Sequence, residues 1–242
     1  MNEIVIEKLN MNYGKKQVLF DVSMEIEKGT IFGLIGPSGC GKTTLVKCIA
    51  GLLSPKNGSI TVSGIIMPSS EVISRMGYMS QAAALYPTLT GRENLQFFGK
   101  LYGLKGELLQ KRISHVSALV KLTDELNMPV QQYSGGMKQR LSLAIALIHE
   151  PDVLLLDEPT VGIDPVLRHE IWDELKELSA KGVTILITTH VMDEAEKCGR
   201  LAMMREGRLL ATGIAAEIIK ETDAESFEDA FIRLGREVNH ED

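Results

Sequence analysis

Three stretches of this sequence carry residue types that handle phosphate. Gly36-Pro37-Ser38-Gly39-Cys40-Gly41-Lys42-Thr43 has the spacing G-x-x-x-x-G-K-[ST]. Glycines in such a loop let backbone N–H groups converge on phosphate oxygens, where a Cβ would intrude. A helix opening near Lys42 adds the positive end of its dipole to the same place. Lys42 is then expected to reach the β- and γ-phosphates of a nucleotide, and the Thr43 hydroxyl to ligate Mg²⁺. Cys40 occupies a variable place in the loop and is given no redox role.

The second stretch, Val153-Leu154-Leu155-Leu156-Asp157-Glu158, ends an apolar run with two carboxylates. Asp157 suits Mg²⁺, directly or through water. Glu158, expected on the other side of the strand direction, is placed to polarise a water for attack on the γ-phosphate. The adjacent acid favours hydrolysis over mere nucleotide storage. The third stretch is Tyr133-Ser134-Gly135-Gly136-Met137-Lys138-Gln139-Arg140. Ser-Gly-Gly opening a helix makes a second anion-binding end, with Ser134 able to hydrogen-bond phosphate and the glycines permitting close approach. One nucleotide in one phosphate loop does not need a second such end nearby, which points to a nucleotide held by another copy of the chain.

These residues need a scaffold, and the sequence reads as α/β. Ile31 to Ile35, Val153 to Leu156 and Val183 to Thr188 are nearly continuous apolar runs, suited to strands buried on both faces of a parallel sheet. A helix follows each: Lys42 to Ala50 after the first, and after Asp164-Pro165 a stretch with Ile171, Leu175 and Leu178 on one face. Strand, loop and helix in repetition place ligands at the C-terminal ends of the strands. Ile4 to Ile6, Val18 to Phe20 and Ile60 to Val62 read as shorter strands near the N-terminus. Thr90-Gly91-Arg92-Glu93 fits a capping box, and helical spacing runs on through Leu95, Phe98 and Tyr102, then Leu109, Ile113, Val116 and Val120. Residues 85–150 are therefore expected to form a helical subdomain inserted into a core of residues 1–84 and 151–220. A C-terminal helix from Ser226 to Leu234 and a frayed tail complete a single domain, with 221–242 as its last part.

Composition narrows the partners. The 242 residues are 44% hydrophobic and 24% charged, a globular balance, and the net charge is −6. A nucleic-acid binder would ordinarily carry the opposite sign, so no nucleic-acid partner is expected. No apolar run approaches the roughly 18 residues of a membrane span. Cys40, Cys48 and Cys198 show no paired spacing and are expected as reduced thiols. The five histidines are not at metal-ligand spacing with Cys or Asp, and no structural metal is expected.

Taken together and in this order, the motifs strongly resemble those of the nucleotide-binding subunit of ABC transporters, over nearly the whole chain. The resemblance implies a P-loop NTPase core with a mainly parallel sheet, an N-terminal antiparallel β subdomain and an inserted helical signature subdomain. It implies two such domains sandwiching two ATP molecules with Mg²⁺. Tyr13 is similar to the residue that stacks on adenine, and Gly36, Pro37, Ser38, Gly39, Cys40, Gly41, Lys42, Thr43 and Thr44 form the Walker A loop. Gln81 resembles the Q-loop glutamine near Mg²⁺ and the membrane-subunit contact. Ser134, Gly135 and Gly136 match the signature, Asp157 and Glu158 Walker B, Asp164 the D-loop, and His190 the switch histidine facing γ-phosphate. Tyr133 and Met137 depart from the family's commonest Leu-Ser-Gly-Gly-Gln, while the phosphate-facing residues remain.

This Tyr-Ser-Gly-Gly-Met-Lys form, with Gly162-Ile163-Asp164-Pro165 and Phe227-Glu228-Asp229-Ala230-Phe231, is similar to ATPases of ABC-2-type exporters. That resemblance implies a peripheral motor on the cytoplasmic side of the cell membrane. It would pair with an identical or homologous ATP-binding chain and drive a separate transmembrane permease. A soluble ABC ATPase of translation, repair or cluster assembly is the rival, but the second nucleotide domain or coiled-coil insertion of the first two is absent. A non-hydrolysing regulator is opposed by Glu158 and His190. His115, His149, His169 and His240 are expected on solvated helix faces, Phe227 and Phe231 in packing, and Met203-Met204 in the core.

Overall fold

The computed structural model describes residues 1–81 and 84–237; the polar tail with His240 lies outside them. Its first two strands, β1 (Asn2–Tyr13) and β2 (Lys16–Glu27), pair antiparallel and are 12 residues each, longer than the short strands expected. Bulges hide their length from the sequence. Lys8 and Asp21 stand at φ +45° and +50°, and at Lys8 the period of two slips, so that Ile6 and Leu9 both face the core.

The chain continues through β3 (Ile31–Ile35), α1 (Lys42–Ile49), β4 (Asn57–Val62), β5 (Ile65–Ile66), the short α2 (Ser70–Ile73) and β6 (Met76–Met79). Three helices follow: α3 (Gly91–Leu101), α4 (Gly106–Leu119) and α5 (Gly135–Leu147). Then come β7 (Val153–Asp157), α6 (Pro165–Ala180), β8 (Thr184–Thr189), β9 (Arg200–Arg205), β10 (Arg208–Gly213), α7 (Ala215–Glu221) and α8 (Phe227–Glu237).

Two sheets result. One is antiparallel, in the order β2-β1-β4-β5; the other runs β10-β9-β3-β8-β7-β6, parallel except for the β10–β9 hairpin. Every residue of β3, β7 and β8 is buried, including Asp157 at the end of β7 and the threonines of β8, as suits strands covered on both faces. Ile4, Ile6, Leu19 and Ile26 meet Phe32, Leu34 and Leu45 in a core that joins the two sheets. A second core joins the sheet to α3–α6 through Leu95, Ile113, Leu141, Leu156 and Trp172. A third lies under α7 and α8, where Phe227, Phe231 and Met203 pack together. Met204 is likewise fully buried.

The helix starts follow their caps. Thr90 accepts from the Glu93 N–H at 3.1 Å while Glu93 accepts from the Thr90 N–H at 2.8 Å, closing the capping box of α3. Ser134 caps α5 through the Met137 N–H, and Asp164 caps α6 through the Leu167 N–H at 3.0 Å, with Pro165 in the first turn.

One histidine departs from expectation. His115 and His169 are exposed, but His149 is half-buried with its ring stacked on Tyr102, centroids 3.6 Å apart and planes 3° from parallel. Burial, assisted by the nearby Arg112 charge, pulls its imidazole down to about 4. The three cysteines are buried free thiols, and among the described residues no helix is long and apolar enough to cross a membrane.

Candidate nucleotide site

The phosphate loop lies between β3 and α1, at the C-terminal edge of the parallel sheet. Gly36 touches the chain so closely that a Cβ there would stand 2.1 Å from the Met204 carbonyl, and Gly41, at φ +112°, turns the loop into α1. Lys42 is 4% exposed, and its ammonium donates to the Gly36 and Pro37 carbonyls at 2.7 and 3.0 Å. It also stands 4.0 Å from Glu158 Oε1. Burial pushes the Cys40 thiol up despite the neighbouring lysine charge, which leaves it protonated and inert.

Asp157 is the last residue of β7 and is fully buried. Thr188 on β8 donates its hydroxyl to Asp157 Oδ1 at 2.6 Å, while the same hydroxyl accepts from the Glu158 N–H at 3.0 Å. One threonine thus orients both acidic residues. Asp157 Oδ2 is buried with no partner among the described residues. An orphaned carboxylate oxygen at the end of β7, with the Thr43 hydroxyl and the Gln81 amide lining the cleft, makes a donor set whose chemistry fits a hard, oxygen-seeking cation such as Mg²⁺. Among the described residues no cluster of three or more His, Cys, Asp or Glu offers a rival metal site.

Strand alternation does not aim Glu158, contrary to the simple reading of the sequence. β7 stops at Asp157, and Glu158 turns at φ +53°, a left-handed conformation that costs a non-glycine residue on the order of 1 kcal/mol. The turn brings its side chain into the cleft, 8% exposed. There Gln81 Nε2 donates to Oε2 at 3.0 Å, and His190 Nδ1 lies 3.1 Å from Oε1. His190 follows the end of β8 and is 42% exposed on its side chain, reaching the same carboxylate from the open side.

A cleft of about 220 Å³ is lined by Ser38, Gly39, Gly41, Lys42, Thr43 and Thr44 together with Val18, Gln81 and Glu158. It brings together the loop cation, the loop hydroxyls and Glu158. It does not bring in Tyr13, which stands half-exposed at the end of β1, or Ser134, Gly135, Gly136 and Asp164. Ser134 and Gly135 are exposed at the start of α5, and the Asp164 carboxylate is spent on its helix cap. Sequence reasoning passed over two residues of this neighbourhood. Thr188 is hidden at the end of an apolar run, where a hydroxyl closing a buried strand is the available signal. Gln139 stood in the Ser-Gly-Gly stretch without a role, and its amide donates to the Glu158 carbonyl at 2.9 Å.

The arrangement can anchor phosphates, hold a divalent cation and fix a carboxylate beside them, the parts of phosphoryl transfer to water. Comparisons with known proteins support ATP binding and hydrolysis. The profile of the family described as ABC transporter matches residues 19–161. The linearmycin resistance ATP-binding protein LnrL of Bacillus subtilis is 40% identical over 88% of this chain and 69% of its own length. The Nod factor export ATP-binding protein I of Cupriavidus pinatubonensis is 40% identical over 88% of this chain and 67% of its own. A solved ATP-binding subunit of an ABC transporter superposes with a TM-score of 0.88 at 28% identity, covering 96% of this chain and 99% of that one. The dimeric post-hydrolysis state of the cassette MJ0796 with ADP and Pi superposes at 0.81 with 25% identity, over 87% and 98%. The fold is that of the P-loop ATPase cassettes, and the chain belongs to the ABC transporter family as an ATP-binding, ATP-hydrolysing subunit.

Proposed function

We propose that this chain is the motor of an exporter, working on the cytoplasmic side of the cell membrane as a dimer with itself or a homologous chain and driving a separate transmembrane permease. One observation carries the dimer reading: the two anion-binding features lie apart. Lys42 and Glu158 share a cleft, whereas Ser134 and Gly135 open α5 into solvent outside it. An exposed, capped helix start with two glycines is suited to the γ-phosphate of a nucleotide bound in a facing chain.

In that reading Lys42 and the loop N–H groups hold the phosphates, Tyr13 stacks on adenine, and Thr43, Gln81 and Asp157 hold Mg²⁺. The cation, when bound, offsets phosphate charge. Glu158, oriented by Gln81 and His190, takes the proton of the attacking water, and His190 passes to the γ-phosphate when that group is present. Asp164 belongs to the face that meets the partner chain. Closure is favoured while the γ-phosphate charge sits against the α5 dipole and Ser134, and is released when hydrolysis removes it.

The permease reading is supported by an exposed apolar strip on residues 85–150, the proposed helical arm. Tyr86, Phe97 and Leu101 are 45%, 43% and 71% exposed, and Phe97 and Leu101 share a shallow groove with Glu93 and Lys100. Such a rim of charge around apolar residues suits a short helix presented by a membrane subunit. The export direction is supported by the name of the Nod factor relative. Glu158→Gln is expected to keep ATP binding, to lose turnover by roughly 10²- to 10⁴-fold, and to accumulate as an ATP-bound dimer. Undiminished hydrolysis by that variant would remove Glu158 from its role. Purification of the tagged chain from detergent-solubilised membranes tests the permease: a stoichiometric multi-spanning protein is expected, and its absence ends the transport reading.

A further inference from the structure

We infer that Gln139 is a positioning residue through which the signature helix of a chain sets Glu158 in that same chain. The inference rests on the reading of Glu158 as the group that activates water. Glu158 holds a left-handed backbone, φ +53°, and such a conformation persists only where its surroundings fix it. On its N–H side the fixing partner is Thr188, through the hydroxyl at 3.0 Å and the carbonyl at 3.2 Å. On its carbonyl side the short contact is the Gln139 amide at 2.9 Å; the Val161 N–H of the following turn is longer, at 3.4 Å. The peptide that carries the catalytic acid is thus gripped by β8 on one side and by α5 on the other.

A second contact of the same helix falls on the same segment. Gly136, in the first turn of α5, lies so near the loop after Glu158 that a Cβ there would be 3.0 Å from the Gly162 carbonyl. From Ser134 to Gln139 the helix rises only about 7.5 Å. One rigid piece therefore joins an exposed anion-binding start to the carbonyl of Glu158. An anion seated on Ser134 and Gly135 by a facing chain presses on the element that sets the acid in this chain's own cleft. That gives the two sites of a dimer a direct physical link, with an α-helix as the connecting part.

The requirement is for a donor of this reach at residue 139. Leu keeps the bulk without a donor, Glu sets a lone pair against a carbonyl, and Lys restores a donor on a flexible stem. Steady-state ATPase assays are expected to show kcat at least tenfold down in Gln139→Leu and Gln139→Glu, with KM for ATP within twofold and partial recovery in Gln139→Lys. Thermal melts that match wild type in the near-isosteric Gln139→Glu exclude misfolding as the cause. Introduced alongside Glu158→Gln, Gln139→Leu is expected to leave the ATP-trapped dimer intact on size exclusion. Unchanged kcat in either donor-less variant would overturn the inference, as would a raised KM, lack of recovery with Lys, or loss of the trapped dimer. The two readings separate in Glu158→Gln alone. If that variant still turns over, the Glu158 reading falls and takes this one with it. If it is inactive while Gln139→Leu is not, only the inference about Gln139 falls.

Discussion

The hydroxyl of Thr188 does two things at once, and neither neighbour can replace it. It donates to Asp157 Oδ1 at 2.6 Å and accepts from the Glu158 N–H at 3.0 Å, inside a site where Thr188 and Asp157 are fully buried. Valine has the same shape and offers neither contact. Thr188→Val therefore leaves a second oxygen of Asp157 without a partner and leaves the Glu158 N–H only the longer contact to the Thr188 carbonyl, at 3.2 Å. Losing such a buried hydrogen bond costs about 1–3 kcal/mol, so the melting temperature is expected to fall by several degrees. The kinetic signature matters more: kcat should drop and the Mg²⁺ concentration for half-maximal activity should rise, because both acids lose their orientation together. A Mg²⁺ titration of ATPase activity checks this; an unchanged Mg²⁺ requirement would show that Asp157 is oriented by something else. His149 offers a pH-dependent counterpart. Its imidazole lies at about 4 against an ordinary 6.5, so the unfolded chain takes up that proton first. The stabilisation from His149 is full above pH 6.5 and is lost as pH falls toward 4. His149→Phe keeps a ring on Tyr102, and the difference in stability between wild type and variant is expected to shrink or reverse across that window in denaturant titrations. A difference that stays constant with pH would contradict it.

The elements explain a departure in the signature motif. Tyr133 takes the place where the family's commonest form has leucine. It is 4% exposed, donates its hydroxyl to the Glu125 carbonyl at 2.8 Å, and lies against the first residue of α3. That first residue is Gly91, and a Cβ there would stand 2.3 Å from the Tyr133 hydroxyl. The two residues are a matched pair. Gly91→Ala is expected to cost about 1–3 kcal/mol by overpacking, and Tyr133→Leu in the same chain should recover most of it. If the double variant melts no higher than Gly91→Ala, the clash lies elsewhere. The same scale shows what could be read from the sequence. β3, β7 and β8 are legible because strands buried on both faces are written in nearly continuous apolar runs, and the starts of α3, α5 and α6 because caps are local. β6 was not: Met76-Gly77-Tyr78-Met79 is short, and its glycine is explained by the Ala146 carbonyl of α5, which a Cβ at 77 would approach to 2.3 Å. β9, β10 and α7 were hidden too, since β10 is only partly covered and arginines bound β9. In the site, Lys42, Thr43, Asp157 and Glu158 announced themselves by local spacing. Gln81 and His190 meet Glu158 across 77 and 32 residues, a proximity no local pattern encodes; only the family resemblance points to Gln81, while His190 is also marked by its place just after an apolar strand.

At the scale of the whole molecule, the question is whether a nucleotide finds all its contacts in one chain. The cleft holds the loop, Glu158 and Gln81, while Ser134 and Gly135 face solvent at the start of α5, outside it. If the missing contacts come from a facing chain, each dimer holds two composite sites, and damage can be sorted between them. Lys42→Ala removes the cation from the phosphate loop, and a homodimer of it has two dead sites. Ser134→Arg blocks the start of α5 with a bulky side chain, and its homodimer is equally dead. In a mixed dimer both lesions fall in the same site: the altered loop of one chain meets the altered helix of the other. The remaining site pairs an intact loop with an intact helix. Mixing the two inactive proteins is therefore expected to restore ATPase activity, rising with the fraction of mixed dimers and vanishing when either protein is omitted. The recovered activity should also depend on the square of total protein at low concentration, because two chains must meet to make one site. A site completed within a single chain predicts the reverse, since each variant then carries its own defect into every mixture and mixing yields only the sum of two inactive proteins.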